Sequence, residues 1–198
     1  MAFITRASPR SSRARLRVWG LCLFALLGLV SGVAHAARFE VHSASTSLVN
    51  QVYVLNAGIS YEFSERALNA LANGVPLTLR MDITIEHERN WWPDSTVAEL
   101  EQRYQLQYHA LSGLHVLRNV NSGASEVYPT LRGALYALGD VRDLPVIDEK
   151  LLDGDARYII SIRVQLDIES LPSPLRPFAY ITPAWWLSSD WYTWSLRP

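Results

Sequence analysis

The stretch VPLTLRMDITIEH, from Val75 to His87, decides the fold because apolar and polar side chains alternate along it. Every odd position from Val75 to Ile85 is apolar, whereas the even positions after Pro76 carry Thr, Arg, Asp or Glu. A period of two over a dozen residues predicts a β-strand with one buried face and one wet face. Half-wet strands belong to antiparallel sheets, because parallel sheets are covered on both faces.

Other segments repeat this pattern. Ala98 to Ala110 and Tyr158 to Ile168 alternate as clearly, and Tyr53 to Phe63 alternates more weakly. The short gap between the first segment and Ala98 predicts a long hairpin. Leu114 to Val120 is the next expected strand, after a turn at Ser112-Gly113. Because these runs exceed the usual strand of about five or six residues, we expect bulges in some of them.

Two short helices are expected between the strands. Ser64 is a good N-cap for the first, which Gly74 can close. The second is expected from Pro129 to Leu138, with Gly139 as its stop. Leu171 to Pro177 contains three prolines and is expected to be an extended connection. Together these features predict a mainly β protein, a two-layer antiparallel β-sandwich with two short helices.

The first 36 residues have the features of an export signal. Five arginines precede an apolar run from Val18 to Val33, and Ala34-His35-Ala36 has the small-x-small pattern of a signal peptidase site. We therefore expect cleavage after Ala36, a single β-rich domain over residues 37–198, and a periplasmic or secreted location. The alternative is a retained membrane anchor, although a sixteen-residue run is short of the roughly 20 residues that span a bilayer.

Charge and cysteine content exclude several classes of function. Residues 37–198 carry thirteen basic and nineteen acidic side chains, a net charge of −6, and Lys150 is the only lysine. An acidic domain without a basic run is not expected to bind nucleic acid. The single cysteine, Cys22, lies in the export signal. The exported domain therefore has no thiol nucleophile and no thiolate metal ligand.

Three stretches resemble a known family. They are YQLQYHALS (residues 104–112), RVQLDIESLPSPLR (163–176) and WWLSSDWYTW (185–194). All three are similar to a family of exported proteins of Gram-negative bacteria that is named only as a domain of unknown function, number 4390. The resemblance implies export and a strand-rich chain with a tryptophan-rich end, and it implies no activity. Members of that family are often encoded beside a membrane sensor kinase of the nitrogen-regulation type.

Residues for metal or nucleophilic chemistry are sparse. Ser112-Gly113 lacks the preceding glycine of a nucleophile elbow, and there is no glycine-rich phosphate loop. The acidic side chains mostly fall on the wet faces of predicted strands, and Asp167 is expected to cap the turn before Leu171-Pro172. No cofactor or metal site is predicted, since none of the four histidines has zinc-site spacing: His42, His87, His109 and His115.

The tryptophans are the unusual feature of the exported domain. Trp91-Trp92 stands at the predicted hairpin tip before Pro93, where two adjacent rings cannot both point inward. A second cluster lies near the C-terminus, and there Trp186 and Trp194 are expected to fill the core. The candidate binding residues, suited to a sugar, a membrane interface or a protein partner, are Trp91, Trp92, Trp185 and Trp191.

These features favour a non-enzymatic periplasmic binding or interaction module, accessory to an envelope signalling or assembly system. Its partner would be an unidentified protein or envelope component, with peripheral membrane contact as one mode. The alternatives are a carboxylate-dependent hydrolase acting on envelope glycans and a carbohydrate-binding module. A close pair of acids in a cleft would favour the hydrolase, and a flat strip of coplanar rings would favour sugar binding. A lone hydrophobic patch would favour a protein or membrane contact.

Overall fold

A computed structural model describes residues 38–88 and 95–198. Within these residues the chain forms three α-helices: α1 (Glu65–Ala72), α2 (Leu131–Gly139) and α3 (Arg176–Ile181). The strands of the same residues are β1 (Phe39–Val49), β2 (Val52–Tyr61), β3 (Leu77–His87), β4 (Ser95–His109), β5 (Leu114–Asn119), β6 (Ser125–Tyr128), β7 (Asp140–Asp148), β8 (Tyr158–Leu166) and β9 (Tyr192–Leu196). The predicted mainly β class is confirmed.

The strands form two antiparallel sheets of unequal width. The narrow sheet has the order β1-β2-β7, and the wide sheet has the order β6-β5-β4-β3-β8-β9. The predicted hairpin joins β3 to β4, and its register shifts between Ile85 and Glu86, one of the expected irregularities. On the other side β3 pairs with β8, so that Ile83 lies between Leu100 of β4 and Ile162 of β8. The alternating stretch from Val75 to His87 therefore contains β3, an inner strand of the wide sheet.

One hydrophobic core receives side chains from both sheets. The apolar positions of β3 are buried, and so are the alternate positions of β8, whereas Arg80, Asp82 and Thr84 keep partial contact with solvent. Leu55 and Ile59 of β2 enter the same core from the narrow sheet. Helix α2 contacts strands of both sheets, which places it beside the narrow sheet over β5 and β6. The two-layer arrangement follows from one dry face on each sheet.

Both predicted helices are present, and their caps explain their boundaries. The Ser64 hydroxyl accepts a hydrogen bond from the Ala67 N–H at 3.2 Å, as an N-cap does. For α2 the cap is Thr130, whose Oγ1 accepts from the Gly133 N–H at 3.1 Å. Gly139 is the last residue of α2, and a Cβ there would lie 2.1 Å from the Ile59 carbonyl oxygen. Glycine is therefore required where α2 passes into β7 against β2.

The third helix corrects the sequence-based expectation for Leu171 to Pro177. That segment does not stay extended throughout, because α3 begins at Arg176 with Pro177 in its first turn. Proline is tolerated there, since the first N–H groups of a helix have no intrahelical partner. In residues 38–88 and 95–198, none of the helices has the length and apolarity needed to cross a bilayer. The predicted export signal lies outside these residues.

Candidate functional site

The structure describes two of the four predicted binding tryptophans, and these two have different environments. Trp91 and Trp92 lie outside the described residues. Trp185 is only 6% exposed and belongs to the core, so its ring is not offered to a ligand, whereas Trp191 is 46% exposed. The predicted core role of Trp186 is wrong, because this ring is 57% exposed. The reason is the short 3-10 turn Pro183–Trp185, which directs the first ring of the pair inward and leaves the second outside.

The indole of exposed Trp186 is hydrogen-bonded to α3, and that helix carries two further exposed apolar side chains. Phe178 is 64% exposed and Ile181 is 75% exposed, and their spacing of three residues puts them on the same side of the helix. We call Phe178, Ile181 and Trp186 the apolar patch. Exposed apolar clusters of this kind mark interaction surfaces in soluble proteins.

Buried anchors hold the apolar patch in place. Ala179, between the two exposed residues of α3, is fully buried, and Trp185 packs into the core beneath its neighbour. The Trp186 indole N–H donates to the Ala179 carbonyl at 3.2 Å, which joins the ring to the helix. Ser64, the N-cap of α1, donates its hydroxyl to the Ala184 carbonyl at 2.6 Å. These contacts therefore fix the position of the segment that carries the apolar patch.

The segment that precedes α3 is braced by Asp167, as the sequence predicts. This buried carboxylate accepts from the Glu169 N–H at 3.1 Å and from the Ser170 hydroxyl at 2.5 Å. Further along, the Arg176 Nε donates to the Leu171 carbonyl at 2.7 Å. Asp167 thus shapes the turn that leads to the patch, and its predicted capping role is confirmed.

Trp191 has a different environment, beside Arg163 of β8 in the wide sheet. The Arg163 guanidinium carbon stands 5.9 Å from the centroid of its ring, a cation–π distance. Arg163 is directly opposite Asp82, which in turn is opposite Glu101. Trp191 therefore extends a row of charged side chains and is not part of a second apolar surface.

The charges of this outer face compensate one another. Arg80 Nε lies 3.1 Å from an Asp82 oxygen, and the Gln165 amide donates to the other Asp82 oxygen at 2.8 Å. Arg103 donates to Glu101, and this hydrogen bond raises the pKa of the guanidinium. Asp82 and Glu101 thus each have a cation or an amide beside them. The arrangement is that of a surface ion-pair network.

A cavity of about 310 Å³ lies between α2, β7 and the end of the wide sheet that contains β6. Two carboxylates line it, Glu126 and Asp140. The Tyr128 hydroxyl donates to Glu126, and the hydrogen bond raises the pKa of Tyr128 to about 12. Arg142 Nη2 lies 2.7 Å from an Asp140 oxygen. Both carboxylates therefore already have partners from this chain.

The histidines occupy separate places. His87 stacks on Tyr158 with the ring centroids 5.3 Å apart, which fits its expected position at the rim of the core. Desolvation lowers the pKa of His115, whose ring lies 4.9 Å from that of Tyr108. In the part of the chain that the structure describes, no three His, Cys, Asp or Glu side chains are grouped to hold a metal ion.

Comparison with models of known protein families identifies the family of this domain. A family model described as a domain of unknown function, DUF4390, matches residues 36–195. The chain belongs to this family. No curated protein and no solved structure matches it. The resemblance inferred from the three sequence stretches is thus confirmed, and the matched region includes the apolar patch.

Sequence reasoning on this DUF4390 domain missed Phe178 and Ile181, although a signal was present. Residues 177–189 contain no charged side chain, and they include Phe, Tyr, Ile and two Trp. The three prolines of Leu171 to Pro177 predicted an extended connection, although α3 begins at Arg176, directly before this run. An uncharged aromatic segment at a helix start was the available indication of an exposed patch.

Proposed function

We propose that this DUF4390 chain is a non-enzymatic periplasmic binding or interaction module that contacts a protein partner through the apolar patch. It would act as an accessory to an envelope signalling or assembly system. The observation that carries the proposal is the exposure of Phe178, Ile181 and Trp186 on one braced segment. The periplasmic location is the expectation from the export-signal features of the first 36 residues.

The bracing of the patch supports a role in binding. Ala179 and Trp185 fix the backbone from below, and the indole of Trp186 is tied to the Ala179 carbonyl. Side chains that are already ordered lose less conformational entropy on association. A tryptophan anchor at the centre of an interface is typically worth about 2 kcal/mol or more. The patch therefore has the properties of a preformed anchor.

Charge favours a protein over a lipid surface as the partner. Residues 37–198 carry a net charge of −6, and anionic lipid headgroups repel such a domain. The patch itself borders a carboxylate, since the Tyr180 hydroxyl donates to Glu169 at 3.4 Å. The indole N–H of Trp186 is already bonded within the chain, so the ring offers an apolar face. An apolar pocket on a protein fits this surface better than an anionic headgroup layer.

Site-specific photo-crosslinking in the intact envelope tests the proposal. A photoreactive residue at Phe178 or Ile181 should give an adduct with a protein of discrete mass, while the same residue at exposed Val120 should not. Trp186→Ala should reduce the adduct yield at Phe178 about tenfold or more, as expected for loss of an anchor. Equal yields at Val120 would contradict the proposal. Flotation of the purified protein with phosphatidylglycerol vesicles would instead make the membrane surface its partner.

The cavity favours one second candidate, the hydrolase acting on envelope glycans, because Glu126 and Asp140 both line it. A paired-carboxylate mechanism would require both groups. Glu126→Gln and Asp140→Asn should then each abolish release of soluble fragments from purified peptidoglycan. For a carbohydrate-binding module, the Tyr192 and Trp194 rings meet at 49°, so this pair is not a flat stacking strip.

A further inference from the structure

Strand β1 is an edge strand that carries few features against edge-to-edge pairing. It is eleven residues long, and among the described residues it pairs only with β2. From Ser43 to Val49 it contains no charged residue and no proline. Over that stretch its register with β2 is unbroken, from Ser43 opposite Gly58 to Val49 opposite Val52. A long, neutral and regular edge is a template for another strand.

The other three sheet edges of the described residues are protected. β7 contains Pro145, a positive φ of 49° at Asp143, and two register shifts against β2. β6 has four residues, and β9 has five. Short strands, prolines and irregular register are the usual means of preventing edge pairing. Among the sheet edges of the described residues, the stretch of β1 from Ser43 to Val49 therefore offers the longest regular run for pairing.

The β1–β2 turn determines which backbone groups of β1 point away from the sheet. Asn50 and Gln51 both have positive φ, 50° and 68°, so the two-residue loop is a type I′ turn. In such a hairpin Val49 and Val52 exchange hydrogen bonds, and the pattern repeats at every second residue. Ala44, Thr46 and Leu48 therefore direct their N–H and C=O groups to the open side.

β1 is held in position for pairing. The Thr46 hydroxyl accepts a hydrogen bond from the Trp194 indole N–H at 3.2 Å, which ties the middle of β1 to the wide sheet. Ser45 and Ser47 lie on the opposite, exposed face of the strand. The edge therefore has a fixed backbone and a small, polar outer face.

We propose that β1 pairs with β1 of a second copy of this chain, forming a symmetric antiparallel dimer in which the two narrow sheets become one. A two-fold axis at Thr46 places Ala44 opposite Leu48 of the second copy. Each such pair exchanges two backbone hydrogen bonds. In a self-paired strand a charged residue can come to lie opposite one of like charge, which is destabilising. The neutral stretch from Ser43 to Val49 avoids this penalty.

The mass of the purified exported protein tests the dimer. Light scattering should give twice the mass of one chain. Ser45→Lys together with Ser47→Lys should halve that mass, because the axis brings lysines of the two copies opposite each other. The matched control, Ala110→Lys with Ser112→Lys in the exposed β4–β5 turn, should remain dimeric. A monomeric wild-type protein, or equal masses for the two double variants, would overturn the proposal.

Disulfide formation tests the register even if the lysine variant folds poorly. Residues 37–198 contain no cysteine. The axis at Thr46 puts residue 45 of one copy opposite residue 47 of the other, at a Cα separation of about 4.5 Å, within the disulfide range. A mixture of Ser45→Cys and Ser47→Cys proteins should form the mixed disulfide at least tenfold faster than Ser45→Cys with Ser112→Cys. Equal rates would contradict the pairing.

Discussion

At the scale of single residues, Trp185 and Trp186 take opposite environments although they are adjacent. The turn Pro183–Trp185 buries the first ring, and the second lies outside with its N–H bonded to Ala179. Trp185→Ala should lower the free energy of unfolding by about 3–5 kcal/mol, the cost of truncating a buried aromatic. Trp186→Ala should lower it by less than about 1 kcal/mol. Urea denaturation measures both, and similar losses would place Trp186 in the core.

His115 makes stability depend on pH at the residue scale. Desolvation lowers its pKa in the folded state, so the unfolded chain binds the proton more readily. Stability from this group is present above the unfolded pKa of about 6.5; it starts to fall as the pH drops below that value and is fully lost below the lowered folded-state pKa. The melting temperature should therefore drop less for His115→Gln than for the wild type between about pH 7.5 and pH 5.5. A parallel drop in both proteins would show that His115 does not contribute.

At the scale of elements, strands with strict alternation were predictable and the others were not. β3 and β8 each have one buried face and β4 packs one face against the core, so their period of two is visible in the sequence. β1 and β7 carry no comparable pattern, because one is largely exposed and the other contains Pro145 and charged residues. β1 pairs with β2 across a two-residue turn, whereas β7 reaches β2 from a distant part of the chain, and local periodicity encodes neither pairing.

The candidate site was only partly predictable for a related reason. The sequence indicated that aromatic residues near the C-terminus were important, and the structure places three of them, Trp185, Trp186 and Trp191, in three different environments. Which ring is buried depends on the turn geometry and on the contact between Ser64 and Ala184. These two residues are far apart in sequence, so composition alone cannot assign the exposed ring.

The central strand offers a test of the sheet's two faces. Ile83 is buried between β4 and β8, whereas its neighbour Thr84 lies opposite Glu99 on the outer face. Ile83→Asp would bury a charge without a partner and should prevent stable folding. Thr84→Lys should change the free energy of unfolding by less than about 0.5 kcal/mol, since the lysine can approach Glu99. Circular dichroism during thermal melting distinguishes them, and an equal response would mean that the face assignment is wrong.

At the scale of the whole molecule, an expected export signal comes before a domain that exposes the apolar patch. If Ala34 to Ala36 is the processing site, the exported protein should begin at Ala37. Intact-mass spectrometry of protein recovered from the envelope measures this directly. An intact Met1, or an Arg17 still attached to the domain, would contradict cleavage and favour the retained anchor.

The apolar patch should be exposed in the free protein and covered by a partner in the envelope. Because residues 37–198 contain no cysteine, Ile181→Cys provides a single reporter in the patch, and Val120→Cys provides an exposed control on another surface. The measurement is the rate of alkylation by a maleimide, in purified protein and in intact envelope. The rate at position 181 should fall at least tenfold in the envelope, while the rate at position 120 should be unchanged. Equal rates at position 181 in the two settings would contradict it.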